Sequence, residues 1–157
     1  MPDPLTVGQV VAAQEYRITR ENLVRYAGAS GDFNPIHWND RVAAAVDLPG
    51  VIAHGMLTMA LAGRLLTDWL GDPASVVEYG VRFSRPVVVP DDDQGVAVHV
   101  SATVTEVRDD GLVAVDLAVR VADQKVLTQA RALARPPEND DDSGPGLASG
   151  VADQPAT

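Results

Sequence analysis

The apolar side chains of this chain change their repeat partway along it, from helical spacing in the first half to strict alternation in the second. Residues 54–72, HGMLTMALAGRLLTDWLGD, place Met56, Leu57, Met59, Leu61, Leu65, Leu66, Trp69 and Leu70 among good helix formers. These side chains occur all round the cylinder, which predicts a buried helix, roughly 20 to 25 Å long at 1.5 Å per residue. Gly71 is placed to cap its C-terminus and Pro73 to stop its continuation.

From residue 96 the period becomes two. Val96, Val98, Val100, Ala102 and Val104 alternate with Ala97, His99, Ser101, Thr103 and Thr105, as a strand with one buried face requires. Val113, Val115, Leu117, Val119 and Val121 repeat the pattern, and Asp109, Asp110 and Gly111 supply turn chemistry between the two, so they form a hairpin. A third strand is expected over 125–134 and another over 76–83, ahead of a loop at 86–94. Earlier in the chain, residues 16–18 read as a short extended segment. Thr19 then caps a helix over 20–29 with Leu23, Tyr26 and Ala27 on one face, and 41–46 is helix-permissive before Pro49 and Gly50. This order predicts an α+β domain, a helical first half followed by an antiparallel sheet of four or five strands wrapped round the long helix.

Composition narrows the function classes. At 157 residues the chain suits one domain. Cysteine is absent, which excludes a disulfide framework, thiolate metal ligands and a cysteine nucleophile. The first residues lack the basic region and apolar run of a signal peptide, and no window is long enough to cross a bilayer, so a cytoplasmic location without a membrane partner is expected. Half of the net charge of -10 lies in residues 136–157, PPENDDDSGPGLASGVADQPAT. That segment has almost no large apolar side chain and is expected to be a disordered acidic tail beyond a domain at 1–135. What remains offers no basic groove for nucleic acid.

Chemistry concentrates in three places. In residues 26–38, YAGASGDFNPIHW, the carboxylate of Asp32, the amide of Asn34 and the imidazole of His37 fall within six residues, with Gly31 and Pro35 forcing the backbone out of regular structure there. Such a stretch is ordinary turn chemistry; equally, Asp32 and His37 can hold one water between them and exchange its proton near neutral pH. In AHGMLT, Gly55 stands at the start of the long helix, where partnerless backbone amides carry partial positive charge and a glycine lets a carbonyl oxygen approach. It also permits a tight entry turn. His54 on its own reads as a structural histidine, and the scattered His37, His54 and His99 make no recognisable metal site. In VEYGVRFSRPVVVPDDD, Arg82 and Arg85 either meet phosphates or face solvent, and Asp91, Asp92 and Asp93 read as an exposed loop. A phosphate-cradling glycine loop, a dinucleotide fingerprint and a G-x-S-x-G elbow are all missing.

The succession YAGASGDFNPIHW, AHGMLTMA, VEYGVRFSRPVVVP, spread over about residues 5–135, resembles the MaoC-like (R)-specific enoyl-CoA hydratases. More closely, it resembles the catalytic B subunit of the actinobacterial (3R)-hydroxyacyl-ACP dehydratases of type II fatty acid synthase. The resemblance implies a hot-dog fold and a hydro-lyase that interconverts (3R)-hydroxyacyl and trans-2-enoyl thioesters of ACP or CoA by syn addition or loss of water, with no cofactor. Carried over, Asp32 and His37 would be the catalytic pair, Asn34 would orient it and Gly55 would bind the thioester carbonyl; for such a substrate, the phosphates that Arg82 and Arg85 are placed to meet would be those of the phosphopantetheine. It also implies a dimer joined edge to edge, either a homodimer of a stand-alone hydratase or a heterodimer with a related hot-dog subunit. A thioesterase and a non-catalytic acyl-binding subunit are the competing readings.

Overall fold

Alternation in the second half of the chain builds an antiparallel sheet. The computed structural model describes residues 4–136; the expected acidic tail, from residue 137 onward, lies outside the described residues. In chain order the elements are β1 (Val10–Ile18), α1 (Arg20–Ser30), α2 (Asp40–Ala45), α3 (Gly55–Leu70), β2 (Val76–Phe83), β3 (Val96–Val107), β4 (Val113–Val121), β5 (Gln124–Lys125) and β6 (Leu127–Ala134), with short 3-10 turns at Pro35–His37 and Pro73–Ser75. The sheet runs β1-β3-β4-β6-β2, and β5 pairs with β4. β3 and β4 form the expected hairpin, paired from His99 opposite Arg120 to Val107 opposite Val113 with a register shift between Val104 and Glu106.

The apolar face of the sheet covers the long helix. Val98, Val100, Ala102 and Val104 of β3 and Val113, Val115, Leu117 and Val119 of β4 are buried, as the twofold pattern predicts. Each fully buried aliphatic side chain contributes about 1.5–3 kcal/mol of transfer free energy, so this layer and the helix beneath it form the main core.

Three expectations change. The extended segment at 16–18 is only the end of a nine-residue strand. VVAAQEYRI hides it because β1 lies at the sheet edge with most of its residues outside the core, so neither face imposes a period. The strand expected over 125–134 breaks at Val126, whose buried backbone leaves the β6 ladder. Its carbonyl instead accepts from the N–H groups of Ser84 and Arg85. Finally, α3 is buried on one face only. Thr58, Ala62, Leu65, Leu66 and Leu70 are buried, whereas Met56 is 55% exposed and Arg64 and Asp68 form an ion pair on the outer side. One curved sheet covers one side of a cylinder, and a helix apolar all round is left with apolar flanks.

β2 is seated on α3 by two aromatic rings lying on two glycines. Tyr79 and Phe83 are four apart on the strand, thus on one face and about 13 Å apart. Gly55 and Gly63 are eight apart on the helix, about 12 Å. A Cβ on Gly63 would come within 3.2 Å of the Tyr79 ring, and one on Gly55 within 3.1 Å of the Phe83 ring. Tyr79 also donates its hydroxyl to the Met59 carbonyl at 2.8 Å, and burial pushes its pKa up from 10.0 to about 12. The folded phenol therefore stays neutral where the unfolded one ionises, and this raised value makes stability fall between about pH 10 and 12. Tyr79→Phe should cost roughly 1 kcal/mol in denaturant melts at neutral pH and should lessen the loss of stability over that alkaline window.

Candidate active site

The 31–39 loop is built from consecutive local hydrogen bonds. Thr19 caps α1 in a capping box with Asn22. At the other end Gly31 takes the left-handed conformation (φ 75°) and donates its N–H to Ala27, a backbone geometry that favours glycine. The Asp32 carboxylate then accepts the N–H of Asn34 at 3.2 Å, and the Asn34 side chain accepts the N–H of Ile36 at 3.3 Å. Two short polar side chains thus turn the chain twice and start the 3-10 turn that carries His37. Arg20, at the start of α1, anchors the far end of the loop: its guanidinium binds Asp40 at 2.9 and 3.1 Å and donates to the Val89 carbonyl at 2.7 Å. Those bonds hold the Asp40 carboxyl below its ordinary range.

His37 is buried, and its tautomer follows from its partner. Its Nδ1 lies 2.7 Å from the Ile52 carbonyl oxygen, which can only accept, so Nδ1 carries the proton and Nε2 presents a lone pair. The Asp32 carboxylate approaches that Nε2 at 3.9 Å. This is beyond direct hydrogen bonding, and it leaves two acceptors facing one donor-sized gap. Segment 51–54 holds the arrangement from behind. The Ile52 N–H donates to Ile36, the Ala53 N–H to Val87, and Val51 accepts from Val89.

His54 completes the group. It is 1% exposed, and its ring stacks on that of His37 with centroids 3.8 Å apart and planes 26° apart. Tyr26 of α1 lies against it at 4.8 Å. Its Nε2 donates to the Asp32 backbone carbonyl at 3.1 Å. Burial lowers its pKa first; the neighbouring His37 adds to that, and the carbonyl and carboxylate of Asp32 oppose it. The reading of His54 as an isolated structural histidine, remote from His37, is thereby corrected. No spacing signal links positions 37 and 54, because their contact exists only once segment 51–54 docks on the 3-10 turn.

A cavity of about 280 Å³ opens beside this group, lined by His37, Gly55, Thr58, Phe83, Ser84 and Arg85 among others. Of the residues singled out in the sequence, His37, Gly55 and Arg85 line it. Asp32 and Asn34 are exposed and, like Arg82 on β2, are not part of its lining; Asp32 reaches the site through its carboxylate, 3.9 Å from the His37 Nε2. Asn34 meets Asp32 through its backbone N–H, while its side chain caps the turn. Gly55 begins α3, and no side chain caps that terminus, so its first amides lack helical partners. The Phe83 ring over Gly55 gives the glycine a packing reason as well. Thr58, Ser84 and Phe83 are cavity residues that carried no sequence signal of their own.

Asp32, His37 and His54 each offer an atom within 4.8 Å of the others. The stack argues against one ion using both rings, because a metal sits in the plane of each imidazole about 2 Å from its nitrogen. Planes tilted by 26° with centroids 3.8 Å apart do not meet at that distance.

A family model described as "MaoC like domain" matches residues 4–122, and the chain belongs to that family. The (R)-specific enoyl-CoA hydratase of Aeromonas caviae is 30% identical over 131 residues, covering 83% of this chain and 89% of the relative. The 3-hydroxyacyl-thioester dehydratase X of Mycobacterium tuberculosis is 43% identical over 74 residues, which are 47% of this chain and 25% of that protein. A solved structure of a MaoC-like dehydratase superposes with a TM-score of 0.80 at 34% identity, covering 84% of this chain and 41% of that one. This chain thus spans a quarter of the first relative dehydratase and most of the hydratase. The sheet wrapped on α3 is the hot-dog fold of these neighbours.

Proposed function

We propose that this chain adds water reversibly across trans-2-enoyl thioesters of CoA or acyl carrier protein, giving (3R)-hydroxyacyl thioesters, with Asp32 and His37 as the catalytic pair. The observation that carries this reading is the 3.9 Å gap between the Asp32 carboxylate and the lone-pair nitrogen of His37, beside a cavity that also exposes Gly55. A water in that gap donates to the pair. As its oxygen bonds to C3, the pair takes one proton and returns one to C2 from the same side, so addition is syn and atoms balance. Charge that builds on the thioester oxygen is met by the amide at Gly55; one such donor contributes roughly 3 kcal/mol in comparable sites.

The dimer of this reading joins through β2, an outer strand of the sheet with Val77 and Phe83 exposed at 57% and 51%. It acts in the cytoplasm; among the described residues no helix is long and apolar enough to cross a membrane.

Crotonyl-CoA supplied to the purified full chain tests the reaction. Loss of enoyl absorbance without free thiol is expected. Thiol release would point to a thioesterase, and neither change, in a folded protein given its partner subunit, would leave an acyl-binding role. Native mass measured alongside separates the homodimer from a chain that needs a partner. Arg85, at the cavity lip, is assigned to the phosphopantetheine or nucleotide phosphates. An exposed charge contact contributes up to about 1 kcal/mol, so Arg85→Ala should raise KM for a CoA thioester roughly fivefold, whereas Arg82→Ala should leave it within about twofold.

A further inference from the structure

His54 is buried between two rings and the backbone of the loop that carries the pair, and its own hydrogen bonding is lopsided. Nε2 donates to the Asp32 carbonyl at 3.1 Å, and Nδ1 is buried without a hydrogen-bond partner. A proton on Nδ1 would be a buried donor with nothing to receive it, which is costly. A bare nitrogen lone pair there is tolerated more easily. The geometry therefore selects the neutral tautomer protonated on Nε2.

The three contacts of this ring reach three separate elements: Tyr26 on α1, His37 on the 3-10 turn, and Asp32 on the loop between them. The Asp32 side chain has no anchor of comparable depth. Its carboxylate is half exposed and accepts from the local Asn34 N–H. The Asp32 backbone is held on two sides, its N–H donating to the Ser30 hydroxyl at 3.2 Å and its carbonyl accepting from His54, a ring that also backs the His37 imidazole. A neutral ring can lie face to face with an imidazole that gains a proton during turnover; a charged one would repel it across 3.8 Å.

We propose that His54 is a positioning residue: its Nε2–H fixes the Asp32 carbonyl while its ring face supports His37, so that a third side chain sets the carboxylate–imidazole gap. The proposal rests on the hydration reading for its rate consequence but not for its geometry, and the tests separate the two.

Ring-nitrogen NMR of the wild-type full chain should show His54 as the neutral Nε2–H tautomer at neutral pH, with its protonation displaced below the ordinary imidazole range. The groups facing it are Asp32, His37 and Tyr26, so any titration seen on its signals must be resolved from theirs. An Nδ1–H tautomer, or a charged ring near neutrality, overturns the proposal whether or not the protein hydrates anything. In turnover, His54→Phe keeps a ring and removes the donor. It should lower kcat about tenfold or more with KM within about threefold, and His54→Gln, which keeps an N–H in reach, should retain more of kcat than His54→Phe. A folded His54→Phe protein with kcat within twofold of wild type also overturns it. Absence of any wild-type hydration would instead remove the proposed function and leave the NMR result to decide the geometry.

Discussion

Asp32→Asn should lower turnover of crotonyl-CoA by about 10²- to 10⁴-fold, the usual contribution of a positioned acid or base, with the thermal transition unchanged. The substitution is nearly isosteric. Asparagine keeps an Oδ1 that can accept the Asn34 N–H at the present 3.2 Å, and the backbone carbonyl bonded by His54 is untouched. The side chain is 52% exposed, so no core contact is lost. What disappears is the charge and one acceptor facing the His37 Nε2. An amide N–H turned into the gap would donate to that nitrogen and occupy the lone pair that the water proton needs. The loss should fall on kcat more than on KM, since the group acts on the reacting water rather than on the distant parts of the thioester. A kcat within tenfold of wild type, with the melt preserved, would take Asp32 out of the chemistry.

How much of this was legible in the sequence depends on whether the cause was local. The capped α1, the Asx-type turns at Asp32 and Asn34, the hairpin between β3 and β4 and the capped end of α3 all follow from residues within a few positions of one another. The sequence therefore shows them directly. Edge strand β1 was visible only at its C-terminal end because its partner lies 78 (Ile18 to Val96) to 93 (Val10 to Thr103) positions away and neither face demands apolar side chains. The same holds inside the site. Asp32 and His37 share a loop and announce each other; His54 meets them through the docking of segment 51–54 between the 3-10 turn and residues 87–89. Arg82 and Arg85 look equivalent on paper. They part because the chain leaves β2 after Phe83, and the N–H groups of Ser84 and Arg85 turn onto the Val126 carbonyl. That turn brings Arg85 to the cavity and leaves Arg82 in the strand.

Gly95→Ala should be the most damaging small substitution for stability, at roughly 2–5 kcal/mol, with the melting temperature lowered by about 10 °C or more. Two costs add. Gly95 has φ +63°, a left-handed conformation that costs a residue with a Cβ roughly 1–2 kcal/mol. A Cβ there would also lie 2.2 Å from the Ile18 carbonyl oxygen and 2.8 Å from its carbon. These are backbone atoms that cannot swing aside, and overpacking of this kind typically costs about 1–3 kcal/mol more. Gly111→Ala serves as the comparison, since Gly111 also has positive φ (+80°) but a Cβ there meets nothing within 4 Å; it should show the conformational cost alone. The clash matters beyond the loop it occupies. Ile18 is 1% exposed and pairs with Val96 at the start of β3, and Thr19 next to it caps α1, the helix that carries Tyr26 to His54 and delivers Gly31 and Asp32. The Gly95 loop is itself tied down, the Asp92 carboxylate accepting the N–H groups of Gln94 and Gly95 at 3.0 and 2.7 Å, so the added methyl has to displace the β1–α1 joint or break those bonds. Thermal melts of the two alanine variants decide between these accounts. Equal, small losses would mean that the loop yields, and a large loss confined to Gly95→Ala would mean that the joint supporting the helix ahead of Asp32 and His37 takes the strain.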